Sequence, residues 1–207
     1  MKGLLLKDFY MTKKYCKMII LCILLFAGVS VAESSNLFFQ FYPVVMASML
    51  PVSILGYDEK CHWDVYGQIF PYSRKQFVSV KYLMSLFCVC GMWLLLAVVQ
   101  VVGMLVNKTG MQNNFLFFFF LVLSSGILSS GILLFVIFKF GTEKGRLAYL
   151  VIIALVCGGG AVSMSTDVSL HIPVSANVLS LLILTASAAV FFLSWLLSMK
   201  IYEKREL

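Results

Sequence analysis

The chain has 207 residues, of which 61% are hydrophobic and 12% charged, and its formal net charge is +7. A soluble domain of this length could not hide so much apolar surface, so the composition excludes an ordinary water-soluble fold and points to a single transmembrane domain over residues 1–207. The positive charge is also compatible with nucleic-acid binding, but a basic face against anionic inner-leaflet lipid accounts for it better, and no nucleic-acid partner is expected.

Residues 1–15 mix Leu4, Leu5, Leu6, Phe9 and Tyr10 with lysines. A helical wheel separates the two classes poorly. The expectation is an interfacial helix, with a cytoplasmic extension of the first span as the alternative. Six apolar segments follow, near 16–32, 37–57, 83–106, 115–138, 147–165 and 177–199, each read as one bilayer crossing. The first is short, about 26 Å at about 1.5 Å per residue, and flanking lysines can snorkel to make up the difference. Ser30-Val31-Ala32 has the look of a signal-peptide cleavage site. The basic region before it is long for a signal peptide, so an uncleaved span is expected. Pro43 and Pro51 should bend the second span.

The 58–82 loop is the most structured of the connections. Asp58 and Glu59 suit a helix N-terminus, and Trp63, Tyr66 and Phe70 then recur at helical spacing as an apolar stripe. Pro71 ends this element. Ser73-Arg74-Lys75-Gln76 is a capping box that opens a second helix leading into the third span. The bland alternative is a surface helix with its aromatics among lipid headgroups. Farther on, Gly126, Gly131, Gly158-Gly159-Gly160 and the heptad-spaced Ser180, Ser187 and Ser194 offer small faces for close helix packing. Segment 161–176, broken by Asp167, His171 and Pro173, reads as a short extracytoplasmic turn or a re-entrant element.

All 16 Lys and Arg residues except Lys108 lie in the N-terminal stretch up to Lys17, in the 58–82 and 139–146 loops, or after the last span. That asymmetry places both termini and these two loops in the cytoplasm. Cys16 and Cys61 then fall on the cytoplasmic side, and Cys22, Cys88, Cys90 and Cys157 within spans, so reduced thiols are expected. His62 and His171 fall on opposite sides of the membrane and cannot share a metal.

No Asp, Glu, Lys or Arg is expected well inside a span; Glu33, Asp167 and Lys139 sit at the edges. Ion-coupled transporters usually need such groups or unwound helices. The chain has no Ser/His/Asp arrangement, no HExxH and no G-x-x-x-x-G-K-[ST] loop. It is not expected to be an enzyme or to hold a cofactor. Energy for uphill transport would have to arrive from a partner, and the 58–82 loop is the obvious docking place.

The run Tyr57-Asp58-Glu59-Lys60-Cys61-His62-Trp63-Asp64-Val65-Tyr66, then Phe70-Pro71-Tyr72-Ser73-Arg74-Lys75 and Lys81-Tyr82-Leu83, resembles the ABC-2 type permeases. In particular it resembles the short six-span branch that contains the membrane subunits of phenol-soluble modulin exporters. Phe70 stands where that branch usually has Leu. The opening Met1-Lys2-Gly3-Leu4-Leu5-Leu6-Lys7-Asp8-Phe9 is similar as well. The resemblance implies an all-α polytopic membrane protein with six transmembrane helices, acting as the permease half of an ABC exporter in a bacterial plasma membrane. Two copies, or a copy and a close paralogue, would pair. Each would dock on a cytoplasmic ATPase subunit that binds ATP and Mg. The 58–70 helix would be the coupling helix, with Asp58, Glu59, Lys60, Trp63, Tyr66 and Phe70 as its partner-binding residues. Two other readings stay open: an immunity or binding protein that sequesters a membrane-active peptide without ATP, and the small-molecule-capturing subunit of a vitamin importer.

Overall fold

The structure is a computed structural model. It describes residues 2–32, 37–61, 63, 73–107, 115–142, 144–145, 147–148, 150–152, 154–155 and 176–203. Among these the regular elements are helices: α1 (Lys2–Tyr15), α2 (Lys17–Ala32), α3 (Leu37–Ala47), α4 (Met49–Lys60), α5 (Arg74–Asn107), α6 (Phe115–Phe140) and α7 (Ala176–Glu203). Among the described residues four stretches are long and apolar enough to cross a membrane: Phe41–Lys60, Arg74–Val102, Phe117–Phe140 and Val178–Glu203. These correspond to the second, third, fourth and sixth expected spans. The first corresponds to α2, whose 16 residues extend about 24 Å at 1.5 Å per residue. The end of the fifth, with Gly158–Gly160, and the 161–176 segment as far as residue 175 lie outside the described residues.

The buried face of α1 explains why its wheel looks unsorted. Leu4, Asp8, Thr12 and Cys16 follow one another at i, i+4 spacing and are all buried, whereas Leu6, Phe9 and Tyr10 are 58%, 59% and 63% exposed. Half of the inward stripe is polar and part of the outward surface is apolar, the reverse of a soluble amphipathic helix.

The second span is the centre of the bundle: 67% of its apolar window is buried, against 22% for α5 and α7. It breaks between α3 and α4, at Ser48. Pro51 has no N–H to bond the Ala47 carbonyl and its ring crowds that group, so the helix must restart. Ser48 covers the break locally, its Oγ donating to the Val45 carbonyl at 2.6 Å. Pro43 sits inside α3.

Two apolar clusters flank this central helix. Ile23, Val44, Leu50, Ile54, Val89 and Val122 join α2 through α6. Val52, Leu55, Val78, Tyr82, Leu133, Leu134 and Phe191 join α4 through α7. Helices α6 and α7 make the most extensive pairing, and small residues set its closeness. A Cβ on Gly131 would stand 3.3 Å from the Phe191 Cα, and the Ser194 hydroxyl donates to the Gly131 carbonyl at 2.7 Å. Ser180, Ser187, Ser194 and Ser198 are all buried, as expected of a packing face.

The capping box forms as read. The Ser73 N–H donates to Gln76 Oε1 at 3.2 Å, and the Gln76 N–H donates to Ser73 Oγ at 3.3 Å. It opens α5, whose 34 residues extend about 51 Å at 1.5 Å per residue. That exceeds the hydrocarbon core of about 30 Å by several turns.

One expectation needs correction. Asp58 and Glu59 do not open a helix; they close α4, which runs unbroken to Lys60, and the Cys61 N–H still bonds the Tyr57 carbonyl at 3.1 Å. The reason is tertiary: the acidic end of α4 is compensated by lysines from α1 and α5.

Candidate functional site

Three elements converge where α4 ends. Lys81 lies in the third turn of α5, on its inner face, and is 1% exposed. An ammonium there needs carboxylate partners, because an unpaired buried charge is very costly. It has two. Its Nζ donates to Asp8 Oδ1 and Oδ2, both at 2.8 Å, and to Asp58 Oδ2 at 2.7 Å. Asp8 comes from α1 and Asp58 from α4, and both are buried. Lys7 closes the group by donating to Asp58 Oδ1 at 2.6 Å, and stands 3.8 Å from Asp8. The cluster thus pairs two ammoniums with two carboxylates and is formally neutral. Its hydrogen bonds are charge-assisted and fix the geometry of three helices at once. Burial pushes Lys7 below the ordinary lysine value and the Lys81 charge pushes the same way; the bond to Asp58 and the two carboxylate charges oppose them.

The sequence places Asp58 and Lys81 in a connecting loop, whereas the structure buries both near the ends of α4 and α5. Hydropathy windows start the third span after Lys81, whereas the helix starts at Arg74 and carries Lys81 inside. One local signal was available: Lys81 interrupts the apolar run Phe77, Val78, Val80, Tyr82, Leu83. Asp8 gave none, since its spacing from Leu4 and Thr12 has meaning only once a partner is known.

The cluster also reaches the segment that follows α4. The Lys7 ammonium lies 4.2 Å from the centre of the Trp63 ring, a cation–π contact. Glu59 accepts a hydrogen bond from the Thr142 hydroxyl, joining the end of α4 to the connection after α6. Lys60 and Cys61 are exposed beside it. Of the expected partner-binding residues, then, Glu59 and Lys60 are at the surface. Asp58 has its carboxylate turned inward, and Trp63 is half-buried against Lys7. Tyr66 and Phe70 lie outside the described residues, as do residues 64–72 as a whole.

One layer away, Tyr82 ties α5 to α6 and α7. Its hydroxyl is 2.7 Å from Ser194 Oγ and 2.8 Å from Ser198 Oγ. Its ring is in contact with Phe138, Phe191 and Trp195. Adjacent residues of α5, Lys81 and Tyr82, therefore connect the ionic cluster on one side to the α6–α7 pair on the other. At the surface, Lys75 pairs with Glu203 at 3.2 Å and Arg74 Nη1 donates to the Glu203 carbonyl at 3.4 Å, joining the start of α5 to the end of α7. This arrangement can transmit force between helices. Among the described residues no group of three or more His, Cys, Asp or Glu is placed to hold a metal ion.

The chain matches no curated protein and no solved structure. A family model described as ABC-2 family transporter protein matches residues 3–203, which takes in the ion cluster, the segment after α4 and every described helix. The chain belongs to the ABC-2 family of transporter proteins, as a multi-pass membrane component of an ABC transporter.

Proposed function

We propose that this chain is the permease subunit of an ATP-driven exporter in a bacterial plasma membrane. It would cross the bilayer six times with both termini cytoplasmic and work as a pair of copies. The end of α4 and the residues after it, Glu59, Lys60, Trp63, Tyr66 and Phe70, form the surface that meets the ATPase. Asp58 acts from within, holding that surface to the bundle. The observation that carries this reading is the buried Lys7–Asp8–Asp58–Lys81 cluster, which binds the end of α4 to α1 and α5 and touches Trp63 just beyond it. ATP and Mg bound in the partner supply the energy. A displacement at Trp63 passes through Lys7 and Asp58 to Lys81, and the adjacent Tyr82 hands it to α6 and α7. The apolar helix faces suit an amphipathic or lipophilic passenger, such as a membrane-active peptide.

Purification in mild detergent, with mass identification of the proteins that accompany the chain, tests the class of machine. A stoichiometric ATPase is expected; its absence would overturn the reading. Trp63→Ala should insert normally yet fail to couple ATP hydrolysis to export. Full export by that variant would remove Trp63 from the coupling surface.

A further inference from the structure

An open apolar groove of about 760 Å³ runs between α1, α2, α4 and the outer face of α5. Its volume lies within the roughly 300–1,000 Å³ of ligand-holding sites. The walls are apolar side chains, among them Leu6, Phe9, Leu24, Leu50, Phe87 and Leu95, and the polar exceptions are Thr12 and Lys13 on α1. Several walls face no part of the chain: Phe9 is 59% exposed and Phe87 is 71% exposed. A Cβ built on Gly91, also in the lining, meets nothing within 4 Å. The Thr12 hydroxyl is occupied by the Asp8 carbonyl at 2.8 Å. Lys13 is exposed at the groove's α1 end, and Lys17 is exposed at the start of α2.

The groove therefore has a cationic end at the α1–α2 corner and an apolar remainder along helices apolar enough to lie in lipid. That is the charge layout of one anionic phospholipid, with its phosphate at Lys13 and an acyl chain beside Gly91. A zwitterionic lipid would bring a second cation to the same lysine, and a peptide strand would bring backbone N–H and C=O groups that these walls cannot satisfy. We propose that the groove binds one anionic phospholipid of the inner leaflet, which fills the space between α1 and α5. The inference rests on the orientation proposed above, in which α1 lies at the cytoplasmic surface.

The test uses the full chain in mild detergent and native mass spectrometry, titrating phosphatidylglycerol and, separately, phosphatidylcholine of the same chains. One phosphatidylglycerol per chain should be retained at detergent conditions that strip phosphatidylcholine. Lys13→Gln should weaken phosphatidylglycerol retention about fivefold, corresponding to ~1 kcal/mol for one basic residue at an anionic surface. Gly91→Phe, which projects into the empty lining, should abolish retention while the protein stays monodisperse. Equal retention of both lipids, or unchanged retention in Lys13→Gln, would overturn the proposal. Efficient crosslinking between two chains through Gly91→Cys would overturn it as well, by placing a second copy in the groove. If Gly91→Phe does not fold, the lysine variant and the lipid comparison still decide. None of these readouts involves the ATPase, so a failure here is distinct from a failure of the exporter reading.

Discussion

Removing the Lys81 ammonium should be far more damaging than its single formal charge suggests, and a second mutation within the same cluster should add nothing to the damage. In Lys81→Met, Asp8 loses both hydrogen bonds to Nζ and Asp58 loses one of its two lysines. Two buried carboxylates then share Lys7, which lies 2.6 Å from Asp58 but 3.8 Å from Asp8. Breaking a buried pair by deleting one partner costs about 3–5 kcal/mol, because the remaining charge is left uncompensated. Asp8→Asn makes the opposite error, leaving two lysines on Asp58, and should cost a comparable ~3–5 kcal/mol. The double variant Lys81→Met/Asp8→Asn keeps the neutral Lys7–Asp58 pair. Independent sites would lose about 6–10 kcal/mol together; a single electrostatic unit should lose no more than either single variant, about 3–5 kcal/mol. The assay is equilibrium unfolding in mixed micelles of the four proteins of the cycle. Lys75→Met serves as a control, since Lys75 is 62% exposed and its partner Glu203 43% exposed, where such pairs contribute about 0–1 kcal/mol. Additive losses in the cycle would refute the cluster as a unit.

Further tests probe other links. Gly131→Val forces a branched side chain against the Phe191 backbone and should cost about 1–3 kcal/mol in the same assay. Gly91→Ala meets nothing and should be neutral or up to about 1 kcal/mol stabilising. A membrane-impermeant maleimide should reach Cys61, which is exposed, only after cells are permeabilised, while buried Cys16 stays unlabelled; labelling of Cys61 on intact cells would contradict the proposed orientation. The lowered value of Lys7 fixes a pH trend. Between its folded value and about 10.4 the unfolded chain binds more protons, so this group makes stability rise with pH across that window. Lys7→Met should abolish that contribution, read as a flatter pH dependence of the unfolding midpoint below the ordinary lysine value.

What was legible in the sequence was what depends on local pattern. Long apolar runs gave the helices, Ser73 and Gln76 gave the start of α5, and the heptad of serines gave the packed face of α7. The acidic end of α4 was misread because Asp58-Glu59 has the composition of a helix start, and only Lys81 and Lys7 make it a helix end. The ion cluster went unseen for a related reason. Its members are separated by 23, 51 and 73 positions, and each looks like an ordinary solvated charge until its partners are known. Span-finding by hydropathy compounds this, because it trims charged residues from helix ends, where this protein keeps its ionic contacts.

The chemistry of the joint bears on how a push at the base of the bundle would travel. Apolar contacts are weakly directional, so helices held by them can slide past one another at small cost. Charge pairs resist separation more steeply. At an effective dielectric constant of about 20, drawing one ion pair apart from 2.7 to 4 Å costs about 2 kcal/mol. Two short pairs, Lys7–Asp58 at 2.6 Å and Lys81–Asp58 at 2.7 Å, bind the end of α4 to α1 and α5, so separating it from both would cost about 4 kcal/mol. The cheaper response is for the three ends to move as one body. On the exporter reading, a displacement delivered at Trp63 is then not absorbed where it arrives. It is passed through Lys81 to Tyr82, whose hydroxyl holds Ser194 and Ser198, and so to the α6–α7 pair. An all-apolar joint of equal volume could be as stable, but it would let α4 slip against α5, and the charge cluster is the feature that suits this position to transmission.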